Sequence, residues 1–104
     1  MTVSRRQIIS RCYYCMHHVA RAVLLFTENA ETTTHREVIG KIRRLVGIRV
    51  GNTLNEWLNW RTQVDYNPSL ASTFETEAIL ACIEAQGFLD TMKNYLRTQG
   101  ATYV

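Results

Sequence analysis

The chain has 104 residues, of which 46% are hydrophobic, and it carries a formal net charge of +3 at pH 7. This length allows one domain spanning 1–104 and excludes a second. A single small core buries a modest share of the surface, so we expect oligomerisation to add stability. The net positive charge favours an anionic partner. Most of the 12 basic residues are arginines, which suit planar contacts to phosphate or else reflect the composition of the source genome.

The cysteines and the apolar runs narrow the class of protein further. Cys12, Cys15 and Cys82 are an odd number and lie within apolar helical patterns, so we expect buried, reduced thiols and a cytoplasmic protein. The C-x-x-C spacing at Cys12 and Cys15 has no second pair to complete four ligands, so the sequence predicts no metal and no cofactor. No apolar run reaches the roughly 20 residues of a membrane span, and we expect no membrane partner.

The first predicted helix covers roughly 4–27 and has two neighbouring faces. One face is apolar and is predicted to be buried; it comprises Ile8, Cys12, Met16, Val19, Val23 and Phe26. The second face is mixed and comprises Arg11, Tyr14, His18, Arg21 and Leu25. A polar loop follows at 29–34.

Capping boxes mark the starts of the remaining helices. Thr34 with Glu37 precedes a helix at roughly 35–46, with Val38, Ile42, Leu45 and Val46 facing inward. Glycines at 47 and 51 predict a break, and Thr53 with Glu56 predicts the start of a third helix at roughly 54–66. Ser72 with Glu75 caps the last helix, at roughly 73–98. Its predicted inner face is Phe74, Ala78, Ala81, Cys82, Ala85, Phe88, Leu89, Met92 and Leu96.

These patterns predict an all-α fold, an antiparallel up-and-down bundle of about four helices. Nothing alternates like a strand over a useful length.

Arg11 and His18 are the candidate catalytic pair. They are seven residues apart, close to two helical turns, so both project from nearly the same side. An imidazole moves protons near neutral pH and a guanidinium matches phosphate oxygens, which is the minimum set for metal-free RNA cleavage. The alternative is a basic, half-buried helix face in which His18 bonds to a neighbouring helix. His17 points roughly 100° away from His18, so we expect it at the surface.

Further residues are candidate contacts to RNA. The ring of Tyr14 would stack on a base, although a buried tyrosine with a bonded hydroxyl is the commoner arrangement. Arg21 adds a cation to the same face as Arg11. His35 and Arg36 begin the second helix, where the free backbone N–H groups favour binding of a phosphate. The alternative is that these residues only follow the capping residue and bind nothing.

Arg61 and Asp65 form an i, i+4 pair on the third helix. We interpret them as a structural pair, because breaking such a pair is costly when it is buried. The alternative is that the pair positions the side chain of Arg11.

The order of these motifs resembles one known family. Ser10-Arg11-x-Tyr13-Tyr14 is followed by His18, by Thr34-His35-Arg36, by Arg61-x-x-x-Asp65-Tyr66, and by Ala85-x-x-Phe88-Leu89 with Tyr95-Leu96. This set resembles the HEPN domain family (higher eukaryotes and prokaryotes nucleotide-binding), and within it the small stand-alone prokaryotic proteins. Their pattern reads Ser-Arg-x-Tyr-Tyr-Ala-x-Phe-His, then a histidine before the next helix, then Ala-Asp-Tyr.

The resemblance implies an RNA-binding bundle that dimerises. Many HEPN proteins are metal-independent endoribonucleases, acting in defence or as toxins with a nucleotidyltransferase antitoxin. Their signature is an arginine followed by a histidine after four to six residues. In this chain only Arg11 can begin the signature, which then ends at His17 or His18. The pattern of the stand-alone prokaryotic proteins selects His18. Members commonly carry a further helix before the tyrosine pair, so a shortened N-terminus is expected here. The alternative implied is a non-catalytic HEPN module that binds a nucleotide or a nucleotidyltransferase.

Overall fold

The computed structural model describes residues 4–29, 31–66 and 75–101. Within these ranges the chain forms only helices, which confirms the predicted all-α helical bundle. The helices are α1 (Arg5–Glu28), α2 (His35–Leu45), α3 (Ile48–Tyr66) and α4 (Glu75–Thr98). Helix α1 packs against each of the other three and most extensively against α4, while α2 packs on α3. The core therefore surrounds α1. None of the helices in the described ranges has the length and apolar character needed to cross a membrane.

Local hydrogen bonds fix both ends of α1. The Ser4 hydroxyl accepts a bond from the Gln7 backbone N–H at 3.1 Å, and the Gln7 side chain accepts one from the Ser4 N–H at 3.1 Å. Asn29 ends the helix in the left-handed conformation (φ 54°), which asparagine tolerates better than most residues. The observed helix agrees closely with the predicted range of 4–27.

The buried face of α1 is wider than predicted and is rotated by about one position. Phe26 was predicted to be buried and is 42% exposed. The prediction was wrong because hydrophobic periodicity counts apolar residues only, whereas a helix enclosed by three others also buries tyrosine and histidine. The buried residues are Ile9, Tyr13, Met16, His17, Ala20, Val23 and Leu24.

Residues 31–34, which precede α2, lie back along the C-terminal half of α1. Arg21 of α1 binds Glu31 at 3.1 Å. Helix α2 then begins next to His17 and ends with Arg44 bound to Glu28 at 3.0 Å. Helix α2 therefore runs in the same general direction as α1, and this pair departs from the predicted antiparallel order.

Helix α3 begins at Ile48, six residues before the predicted start at 54. The predicted break is present at 46–47, beside Gly47, but it does not extend to Gly51. Gly51 is a buried helical residue, and a Cβ there would lie 2.2 Å from Arg43 Cγ and 3.0 Å from the Arg43 backbone nitrogen. Glycine is needed for the close approach of α2 and α3 and does not end a helix here. Thr53 is not a cap either, since its hydroxyl donates to the Arg49 carbonyl within the helix.

Helix α4 buries most of its predicted inner face. Ala78, Ala81, Ala85, Phe88 and Met92 are buried, and the small alanines permit close packing against α1. Cys82 was predicted to face inward and is exposed, as is Cys15, while Cys12 is half-buried; all three are free thiols. The prediction of buried cysteines is therefore wrong for Cys15 and Cys82, whereas Cys12 packs partly buried against the core. The predicted cap at Ser72, with Phe74, lies outside the described residues.

Candidate functional site

Helix α1 carries two parallel tyrosine–histidine pairs, each with i, i+4 spacing. The rings of Tyr13 and His17 stack with centroids 5.8 Å apart, and those of Tyr14 and His18 stack at 6.2 Å. Tyr13 and His17 are buried, with 0% and 3% exposure, whereas Tyr14 and His18 are exposed. One pair therefore belongs to the core and the other to the surface above it.

His35, the first residue of α2, completes the cluster from a second helix. Its ring stacks on that of His17 with centroids 4.2 Å apart. The Tyr13 hydroxyl is hydrogen-bonded to His35 Nδ1. We call Tyr13, Tyr14, His17, His18 and His35 the tyrosine–histidine cluster. The cluster depends on the packing of α2, whose first residue lies beside the middle of α1.

Burial and positive neighbours set the protonation of the inner rings. Burial raises the pKa of Tyr13 above its usual value, so its hydroxyl stays protonated. It can donate to His35 Nδ1 when the His35 proton is on Nε2. Burial, followed by the charges of Arg61 and Arg21, lowers the pKa of His35. A neutral His35 that accepts at Nδ1 carries its proton on Nε2, where it can donate to an anion.

His17 is the most deeply buried of the three histidines. Burial is the main cause that lowers its pKa from 6.5 to about 4, with His35 and Arg21 next in importance. Its Nδ1 is buried and has no hydrogen-bond partner among the described residues. The prediction that His17 lies at the surface is wrong. The angle of about 100° from His18 is right in size, but it turns His17 towards α2 and not towards solvent.

Arg61 of α3 lies over the tyrosines. Its guanidinium carbon is 5.0 Å from the centroid of the Tyr14 ring and 6.0 Å from that of Tyr13, which is within the range of cation–π attraction. Its Nε donates to Asp65 Oδ2 at 3.2 Å. This ion pair is only partly buried, so it contributes little by itself; it holds the guanidinium over the rings.

The structure brings together some of the predicted site residues. Tyr14, His18 and His35 lie in the cluster, and Arg21 is close enough to affect the pKa of two histidines. Arg11 is exposed, and within the described part of the chain no ion pair or ring contact joins it to the cluster. Arg36 lines a groove beside His35.

Sequence reasoning missed the buried half of the cluster, including Tyr13 and His17. The available signal was the repeated Tyr-x-x-x-His spacing, which places two rings of each pair on one face of a helix. Nothing in the sequence near α1 could indicate Arg61, because it comes from α3. Within 4–29, 31–66 and 75–101, no group of three His, Cys, Asp or Glu side chains is placed to hold a metal ion.

Comparison with known proteins adds no relative: no family model, no curated protein and no solved structure matches this chain.

Proposed function

We propose that this chain is a HEPN-like RNA-binding protein that cleaves RNA without a metal ion. The setting proposed is a cytoplasmic homodimer in a toxin–antitoxin or defence system, with a nucleotidyltransferase partner. One observation carries the proposal. Two histidines complete the signature of an arginine followed by a histidine after four to six residues, and of these His18 is exposed while His17 is 3% exposed. An acid or base for a large substrate has to be accessible, so His18 is the only one of the two that fits.

The exposed residues divide the reaction between them. Arg11 would bind the non-bridging phosphate oxygens, since a guanidinium matches them in two contacts. His18 would take the proton of the 2′-hydroxyl, whose oxygen attacks phosphorus, or give a proton to the departing 5′-oxygen. The products are a 2′,3′-cyclic phosphate and a 5′-hydroxyl. In a dimer the second copy of His18 performs the other transfer.

Neighbouring groups support these roles. Tyr14 is 38% exposed and would stack on a base next to the cleaved bond. A neutral His35 would donate from Nε2 to phosphate, because the Tyr13 hydroxyl occupies its Nδ1. The side chain of Arg21 is 30% exposed and forms an ion pair with Glu31. It would therefore contribute to the general electrostatic attraction of RNA and not to a single phosphate contact.

The test is cleavage of end-labelled RNA by the purified chain in the presence of EDTA. We expect cleavage that EDTA does not reduce, and its loss in His18→Ala and Arg11→Ala with unchanged circular dichroism and melting temperature. Arg49→Ala is the matched control, because this exposed arginine lies in a different groove, between α3 and α4. Cleavage that persists in His18→Ala would refute the mechanism.

The second candidate is a non-catalytic HEPN-like module that binds a nucleotide or a nucleotidyltransferase through the same face. The observation that favours it is that residues of the cluster pack against neighbouring helices: His17 of α1 stacks on His35 of α2, and Arg61 of α3 lies over Tyr14. In that case the purified chain binds its ligand and cleaves no RNA, and loss of Arg11 weakens binding only.

A further inference from the structure

A groove between α2 and α3 is lined by polar side chains and carries no carboxylate. Its volume is about 510 Å³, within the usual range for sites that hold a small ligand or one unit of a polymer. Its polar lining consists of His35, Arg36, Arg43, Asn55 and Asn59. With two guanidiniums and no acid, the groove attracts anions.

Several of these groups lack a partner within the described part of the chain. Arg36 is exposed, and no ion pair or hydrogen bond engages its side chain. The amides of Asn55 and Asn59 are also without hydrogen-bond partners. Arg43 differs, because its Nε donates to Asn52 at 2.8 Å, which holds the side chain across the gap between the helices. The groove therefore offers one fixed cation, one free cation and two free amides.

The amides and the cations are arranged for two different parts of one ligand. Asn55 and Asn59 have i, i+4 spacing and so project from one face of α3, opposite the arginines of α2. Ile39 and Leu58 supply the apolar lining. Asparagine amides form paired hydrogen bonds with the edge of a base, guanidiniums bind phosphate, and apolar side chains contact the flat face of a base.

We propose that this groove binds one nucleotide of single-stranded RNA, with its base edge on Asn55 and Asn59 and its phosphate on Arg36 and Arg43. The inference rests on the proposed function in one respect, that the polymer is RNA. Because His35 belongs to both the groove and the tyrosine–histidine cluster, the bound nucleotide lies next to the phosphate that His18 acts on. The groove thus determines which base flanks the cleaved bond.

Binding is tested separately from cleavage by using short 2′-O-methyl oligoribonucleotides, which lack the attacking hydroxyl. Fluorescence anisotropy of the full chain with homopolymers of different bases should show a base preference and an affinity that falls with salt. Arg36→Ala should weaken binding to every sequence and reduce the salt slope by about one. Asn59→Ala should weaken binding to the preferred base by about 5- to 100-fold and remove the preference. Arg49→Ala should behave like the wild type.

The side-chain amide NMR signals of Asn55 and Asn59 give a direct readout that needs no variant. They should shift when the oligonucleotide is added. If RNA binds and is cleaved while these signals do not move, the groove is refuted and the proposed function stands. If they move and unmodified RNA stays intact, the groove stands and cleavage fails. Equal shifts with polyglutamate, or equal affinity for all bases, would overturn recognition of a nucleotide.

Discussion

The buried imidazole of His17 makes the stability of this protein depend on pH. An unfolded histidine takes up a proton near pH 6.5, whereas folded His17 does so only near pH 4. Between these values the unfolded state binds more protons, so the free energy of unfolding decreases as the pH falls. The stabilisation is fully present above pH 6.5 and is lost progressively towards pH 4. His35, whose pKa is also lowered by burial, acts in the same direction.

The size of the effect follows from these two pKa values. On going from pH 7 to pH 5, His17 alone should remove about 2 kcal/mol of stability. For a chain of this length that corresponds to a decrease in melting temperature of about 10 °C. The loss is large because neither Tyr13 nor His35 offers a charged group that would stabilise an imidazolium at His17.

Urea unfolding followed by circular dichroism at several pH values between 7 and 5 measures this loss. His17→Phe should remove about 2 kcal/mol of the pH dependence, leaving the share of His35. Phenylalanine keeps an aromatic ring between Tyr13 and His35. No hydrogen bond to another described residue is lost, because the His17 ring makes none. Tyr14→Phe is the control, since it changes the same cluster without removing an imidazole.

Two results would refute this reasoning. One is a wild-type stability that does not change between pH 7 and pH 5. The other is a His17→Phe variant with the same pH dependence as the wild type, which would mean that a different group titrates. A lower stability of the variant at pH 7, together with a reduced pH dependence, would be a packing cost and would leave the reasoning intact.

Three further outcomes test the packing. Gly51→Ala should destabilise the chain by about 1–3 kcal/mol in urea unfolding, because its Cβ meets α2, whereas Gly40→Ala, with nothing within 4 Å, should be neutral or stabilise by up to about 1 kcal/mol. Glu84→Ala should cost about 1–3 kcal/mol, since the Trp57 indole N–H loses its acceptor, and Glu84→Gln should restore most of it; equal losses would contradict the bond. Burial raises the pKa of the Cys12 thiol to about 12, so iodoacetamide at pH 8 should modify it more slowly than the other two cysteines, as measured by peptide mass spectrometry.

Local patterns determined the helices. The starts and ends of α1 and α2 follow from capping residues and 3.6-residue periodicity, which act within a few positions of the chain. That Tyr14 and His18 lie on one face of α1 also follows from their spacing. The start of α3 could not be predicted from local patterns. Gly51 is needed for close contact with the backbone of Arg43, and no local pattern distinguishes such a glycine from one that breaks a helix.

The sequence by itself determined that the chain is helical and that Arg11, Tyr14 and His18 share one side of α1. Only the tertiary structure decided which histidine is buried and what it meets. Histidine and tyrosine suit both the core and the surface, so the choice depends on the helices packed around them. The packing of α2 on α1 brings His35 onto His17, and α3 brings Arg61 over the tyrosines. Both contacts join residues far apart in the chain, and neither is encoded in the spacing of residues along one helix.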